Sequence, residues 1–135
     1  MVYVTRREVF SSAHILANPN WGAEQNSEIY GKCANSNGHG HNYTLEVVVG
    51  GEIDINTGYL IDLKILKEII FTEVISKVDH KHLNYDVDFM KNLIPTTENL
   101  VVAIWGQLVN KLPSGKLISV KIFETENNYA EYKGE

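Results

Sequence analysis

Gly38-His39-Gly40-His41 sets two imidazoles at alternate positions of the chain. In an extended segment both rings fall on one face, ~6.5 Å apart along the backbone, and can lean together onto a single ion. Neutral imidazole nitrogens suit Zn2+ at ~2.0–2.1 Å, and the flanking glycines leave space around it. His14, which follows Phe10-Ser11-Ser12-Ala13, is the candidate third ligand. Three histidines leave a fourth position open, as in catalytic rather than closed structural zinc sites. A bare His-x-His pair also occurs in half-buried strands that hold no metal, so the company it keeps decides the reading.

That company includes Cys33, the only cysteine, in the polar stretch Gly31-Lys32-Cys33-Ala34-Asn35. A thiol near zinc and a cation has a lowered pKa, and its thiolate can take a proton. The alternative is a fourth metal ligand, closing a structural site of three histidines and one cysteine. Asp79-His80 offers a pair that could exchange protons near neutral pH, although capping of a helix end explains it as well. His82 stands in a polar stretch without an evident partner and reads as surface. In Ile118-Ser119-Val120-Lys121-Ile122-Phe123-Glu124, alternation puts Glu124 on the face of Ile118, Val120 and Ile122. A carboxylate on an apolar face needs donors, and a ring edge with adjacent N–H groups would supply two parallel bonds. A sheet that ends before Glu124 would instead leave it in water.

These residues need elements to position them. Val2 to about Ala13 reads as a strand, followed by a polar loop from roughly Ala17 to Asn37. Its length is itself a functional hint. A second strand spans His41 to Val49 and breaks at Gly50-Gly51, and Asn56-Thr57-Gly58 turns into a short strand Tyr59-Leu60-Ile61. From Leu63 to Val78 the period becomes helical: Leu63, Leu66, Ile70 and Val74 form a stripe widened by Ile69 and Val78, with Asp62 as N-cap. A second helix starts near Thr96 or Thr97, carries Leu100, Val101, Ile104, Trp105, Leu108 and Leu112 inward, and stops at Pro113 and Gly115. Leu117 to Thr125 and Tyr129 to Lys133 complete the set as strands. The α+β order ββααββ predicts one four-stranded antiparallel sheet with two helices on a single face. Its unpaired edges invite pairing between subunits, so an oligomer is expected.

The bulk numbers agree with one domain over residues 1–135. The chain is 44% hydrophobic and 21% charged, ordinary globular usage. No segment approaches the ~18 apolar residues of a membrane span, and the N-terminus lacks a signal-peptide core. A lone cysteine calls for no oxidising compartment, so a soluble cytoplasmic protein is expected. A net charge of −5 argues against nucleic acid as a partner. An anionic small molecule is compatible with it, held by local cations such as Arg6, Arg7 or Lys32.

Five segments together resemble the 6-pyruvoyltetrahydropterin synthase family of the tunnelling-fold superfamily. They are Phe10-Ser11-Ser12-Ala13-His14, the run from Gly31 to Tyr43, Val78-Asp79-His80-Lys81, Thr96-Thr97-Glu98-Asn99, and Glu124 to Asn128 with the ending Tyr132-Lys133-Gly134-Glu135. The resemblance implies a lyase of tetrahydrobiopterin synthesis that converts 7,8-dihydroneopterin triphosphate to 6-pyruvoyl-tetrahydropterin and triphosphate. By that likeness His14, His39 and His41 hold zinc and Cys33 is the proton acceptor. Asp79, His80 and Glu124 belong to the relay, Glu124 also anchors the pterin ring, and Thr96, Thr97 and Glu98 line its pocket. It further implies a homohexamer of two trimers, each closing a twelve-stranded barrel, with sites between subunits. Family members often carry a basic residue after the first zinc histidine, where this chain has Ile15, so one contact to the triphosphate differs. The related 6-carboxytetrahydropterin synthases typically have a shorter spacing than the five residues between Cys33 and His39. Variants that release a glycolaldehyde fragment usually place glutamate at or near Cys33. A pterin-binding module with structural zinc is the non-enzymatic alternative.

Overall fold

Thirteen consecutive residue pairs, from Val2↔Gly51 to His14↔His39, join the first two strands antiparallel in a computed structural model that describes residues 1–135. These strands are β1 (Val2–His14) and β2 (His39–Gly51). Alternation along β2 sends Tyr43, Leu45, Val47 and Val49 inward to complete burial, while Asn42, Thr44, Glu46 and Val48 face the other way. β4 (Lys116–Phe123) pairs antiparallel with β2, and β5 (Tyr129–Tyr132) with β4.

The sheet has five strands rather than four, in the order β3-β1-β2-β4-β5. The additional strand, β3 (Lys81–His82), runs parallel to β1 and makes the sheet mixed. Two residues carry no readable periodicity, and β3 exists because its backbone meets β1. The segment Tyr59-Leu60-Ile61 forms no strand. Leu60 and Ile61 are buried, but the loop closes on itself, with the Gly58 amide donating to the Asp54 carbonyl and the Asp54 amide to that of Tyr59.

Three helices are present rather than two. α1 (Ala23–Tyr30) and a 3-10 turn (Gly31–Ala34) occupy the polar stretch expected to be a loop. α1 buries only Asn26, so it shows no apolar stripe in the sequence. The next helix, α2, begins as Leu63–Ile70, widens into a π turn over Phe71–Ile75 and ends with Ser76–Val78. Asp62 caps it, accepting from the Lys64 amide. Leu66, Ile70, Val74 and Val78 are fully buried, whereas Leu63, expected in the same stripe, is 53% exposed. α3 (Thr97–Leu108) is capped by Thr96, whose hydroxyl accepts from the Asn99 amide. Its Leu100, Ile104 and Leu108 share one apolar cluster of 22 residues with α2 and the inward face of the sheet. Each such side chain contributes about 1.5–3 kcal/mol through burial, which holds both long helices to one face.

A bulge offsets β4 against β2: Val48 faces Ser119 while Val49 faces Leu117. The extra residue is Ile118, so Leu117 takes the inward position that simple alternation assigns to Ile118. Val120 and Ile122 stay inward as expected, and Glu124 follows on their side.

Candidate metal centre and adjoining pocket

The antiparallel register sets His14 opposite His39 and Ser12 opposite His41, bringing the three imidazoles to one end of the sheet on its helix-covered face. One ligand nitrogen from each of His14, His39 and His41 lies within 4.8 Å of the others. The ring centroids are 4.5, 5.1 and 4.9 Å apart. Gly38, at φ 73°, makes the approach possible: a Cβ there would sit 3.1 Å from the His14 carbonyl oxygen.

His14 is completely buried, and burial lowers its pKa, so the neutral ring is favoured. Its Nδ1–H donates to the Pro95 carbonyl at 2.9 Å, which leaves the Nε2 lone pair facing His39 Nε2, also at 2.9 Å. A carbonyl behind a ligand histidine is the usual device for fixing its tautomer. Three imidazoles whose ligand nitrogens converge within 4.8 Å of one another, one of them oriented from behind by a carbonyl, fit Zn2+. Cys33 is not within the same distance of all three nitrogens, so the group that could share an ion is histidine alone.

Glu124 stands beside this cluster. Its Oε2 accepts from the Thr97 hydroxyl at 2.8 Å, and its Oε1 lies 3.7 Å from His41 Nε2. A cavity of about 430 Å³ opens here, lined by Tyr30, Thr96, Thr97, Glu98, Glu124 and Tyr129 among others. That volume suits a small ring system. The three residues expected to line a pocket do so with different duties. Thr96 caps α3, Thr97 holds the carboxylate, and Glu98 is exposed at the rim.

Asp79 and His80 form a pair of their own. Asp79 Oδ1 accepts from the Ser11 amide at 2.9 Å and lies 3.0 Å from His80 Nδ1; the amide first, then His80, holds its carboxyl below the usual range. The His80 amide donates to the Ser11 carbonyl, and this anchoring supports a φ of 59°, unusual for histidine. The His80 side chain is 82% exposed and makes no hydrogen bond to Cys33 or Glu124 within the chain. It borders a second cavity, of about 540 Å³, over Ser11, Gly40, Asn42 and Lys81. Ser11 and Asn42 alternate with Ser12 and His41, which places them on the sheet's other face. Cys33 is half-buried in the 3-10 turn, where its carbonyl accepts from the Leu16 amide at 2.8 Å.

Reading the sequence alone passed over three contributors. Tyr43 continues the His39, His41 alternation and stacks on Phe10 at 5.0 Å. Its hydroxyl reaches 3.3 Å from His14 Nδ1, and burial raises its pKa. Period two already placed Tyr43 on that face. The Pro95 carbonyl and the Tyr30 wall leave no such signal. His82 is also not the free surface residue expected: Nδ1 accepts from the Asn84 amide at 3.2 Å, and the ring packs on Tyr85.

A family model described as 6-pyruvoyl tetrahydropterin synthase matches residues 3–135. The chain is 48% identical over 134 residues to the 6-pyruvoyl tetrahydrobiopterin synthase of Dictyostelium discoideum, covering 99% of this chain and 97% of that protein. It is 45% identical over 132 residues to the human protein of the same name, covering 98% and 91%. The solved structure of Caenorhabditis elegans 6-pyruvoyl tetrahydropterin synthase superposes with a TM-score of 0.93 at 38% identity, over 99% of this chain and 96% of that one.

Proposed function

The chain belongs to the 6-pyruvoyl tetrahydropterin synthase family, lyases of tetrahydrobiopterin synthesis, and on that footing we propose that it converts 7,8-dihydroneopterin triphosphate to 6-pyruvoyl-tetrahydropterin and inorganic triphosphate with zinc on His14, His39 and His41. One observation carries this reading: a carboxylate oriented by Thr97 stands at the mouth of a ring-sized cavity with its free oxygen 3.7 Å from a candidate metal ligand. A pterin whose adjacent N–H groups meet Glu124 is held in the cavity beside the imidazoles.

The conversion breaks one carbon–oxygen bond, and triphosphate departs with the electron pair. The ring is reduced and the side chain oxidised by proton transfers alone, so the reaction calls for groups that take and return protons. His14, His39 and His41 would hold the zinc, which when bound would supply Lewis-acid polarisation of the side-chain oxygens. Cys33, as thiolate, takes a proton from carbon. His80, oriented by Asp79, returns and relays protons, and Glu124 fixes the ring while buffering charge at its N–H edge.

The exposed Asp79–His80 pair serves a neighbouring subunit in this scheme, within a homohexamer of two trimers. The His80 side chain is 82% exposed and makes no hydrogen bond to Cys33 within one chain, which supports that division. Incubation with 7,8-dihydroneopterin triphosphate and mass analysis of the products tests the proposal. A 6-pyruvoyl product with free triphosphate is expected. A 6-carboxy product, a released glycolaldehyde fragment or unchanged substrate would each replace it with a different function.

A further inference from the structure

β1 ends at His14, and the peptide groups just beyond have no strand partner, although Ile15 is only 9% exposed. Buried backbone groups require partners. The Asn84 side chain supplies both: Oδ1 accepts from the Ile15 amide at 2.8 Å, and Nδ2 donates to the Ile15 carbonyl at 2.9 Å. The Leu83 amide donates to the Ala13 carbonyl at 2.8 Å. Asn84 thus acts as one more residue of β3, made from a side chain, and His14 is bracketed on both sides. The next amide, of Leu16, donates to the Cys33 carbonyl at 2.8 Å. The clamped peptide is therefore the rail between a metal ligand and the cysteine turn.

We propose that Asn84 is a positioning residue: by clamping the Ile15 peptide it fixes His14 and Cys33 relative to one another. Neither polar atom of its side-chain amide hydrogen-bonds His14, His39, His41 or the thiol, so its action on them passes through backbone. The arrangement of oxygen and nitrogen follows from the partners, since an N–H must meet Oδ1 and a C=O must meet Nδ2. In its zinc arm the inference rests on the proposed metal site; in its cysteine arm it does not.

The test compares the full-length protein with Asn84→Ala and Asn84→Asp, well below each melting temperature. Asn84→Asp keeps the shape and the bond from the Ile15 amide, but replaces the donor facing the Ile15 carbonyl with a charged oxygen that can only accept, so the test does not depend on the truncated variant folding. Zinc affinity is measured by chelator competition, Cys33 accessibility by the rate of iodoacetamide alkylation, and kcat and KM separately. Both variants should bind zinc about 10-fold or more weakly, the usual consequence of removing support behind a metal ligand. They should alkylate at a changed rate and lose kcat with little change in KM. Ser114→Ala, which removes a hydroxyl bond to the Leu60 carbonyl remote from the site, should move the melting temperature alone. Unchanged zinc affinity and unchanged alkylation in both Asn84 variants would overturn the inference, whatever their stability. Failure of the unsubstituted chain to bind zinc would overturn the metal reading, and alkylation would still decide the role of Asn84.

Discussion

Replacing Glu124 by Gln changes one atom of the pocket and removes its charge. In the native arrangement the Thr97 hydroxyl occupies Oε2, leaving Oε1 and the second lone pair of Oε2 for two N–H donors of a bound ring. Glutamine satisfies Thr97 with its carbonyl but then presents N–H2 to a ring N–H. The loss combines one charge-assisted bond, about 1.5–3 kcal/mol, with a donor left unpaired, about 2–4 kcal/mol in all. That corresponds to roughly 30- to 700-fold weaker binding. Thr97→Val removes only the orienting bond, worth about 0.5–1.5 kcal/mol or roughly 2- to 13-fold. The Glu124 side chain is 28% exposed, so the urea midpoint should scarcely move. Titration of both variants with a pterin analogue reads the order directly. Unchanged affinity in Glu124→Gln, or a larger loss in Thr97→Val, would refute the anchoring role.

Other substitutions report on the remaining parts. His39→Ala and His41→Ala should each lose most bound zinc and nearly all activity; full zinc content in both by elemental analysis would contradict a three-histidine site. Cys33→Ser should keep its zinc and lower the rate of product formation about 10²–10⁴-fold, because serine holds its proton at neutral pH; zinc lost together with thermal stability would instead mark a ligand. Burial lowers the pKa of His14, so between its folded value and the ordinary value of about 6.5 the unfolded chain binds a proton that the native chain does not. Stability of the metal-free protein should therefore be complete above about pH 6.5 and fall as pH drops through that window, and His14→Gln should flatten the slope in urea titrations. Mixing inactive Cys33→Ser and His80→Ala chains under conditions that allow subunit exchange should restore part of the activity if sites are shared between subunits; no recovery after exchange would place the pair elsewhere.

Features written as periodicity or as a cap were legible in the sequence. Two histidines at i and i+2 predicted one strand face, and the face is there. Asp62 and Thr96 announced helix starts, and Glu124 was placed by alternation from Val120 and Ile122 despite the bulge at Ile118. Features made by single contacts between distant segments were not legible. α1 buries only Asn26, so no apolar stripe marks it. β3 is two residues long and depends on where β1 runs, and Asn84 reads as an ordinary loop residue until Ile15 is beside it. The Pro95 carbonyl behind His14 is backbone, and no residue type encodes it. Asp79 and His80, adjacent in the sequence, lie 3.0 Å apart through their side chains, but their exposure could be seen only once the chain was folded.

The coordination of zinc in the purified protein distinguishes an open three-histidine site from a closed structural one. X-ray absorption at the zinc edge should show three imidazole nitrogens at about 2.0–2.1 Å, a light oxygen donor in the open position and no sulfur. A sulfur shell near ~2.3 Å would make Cys33 a ligand and the site structural, and fewer than three imidazoles would break the triad of His14, His39 and His41.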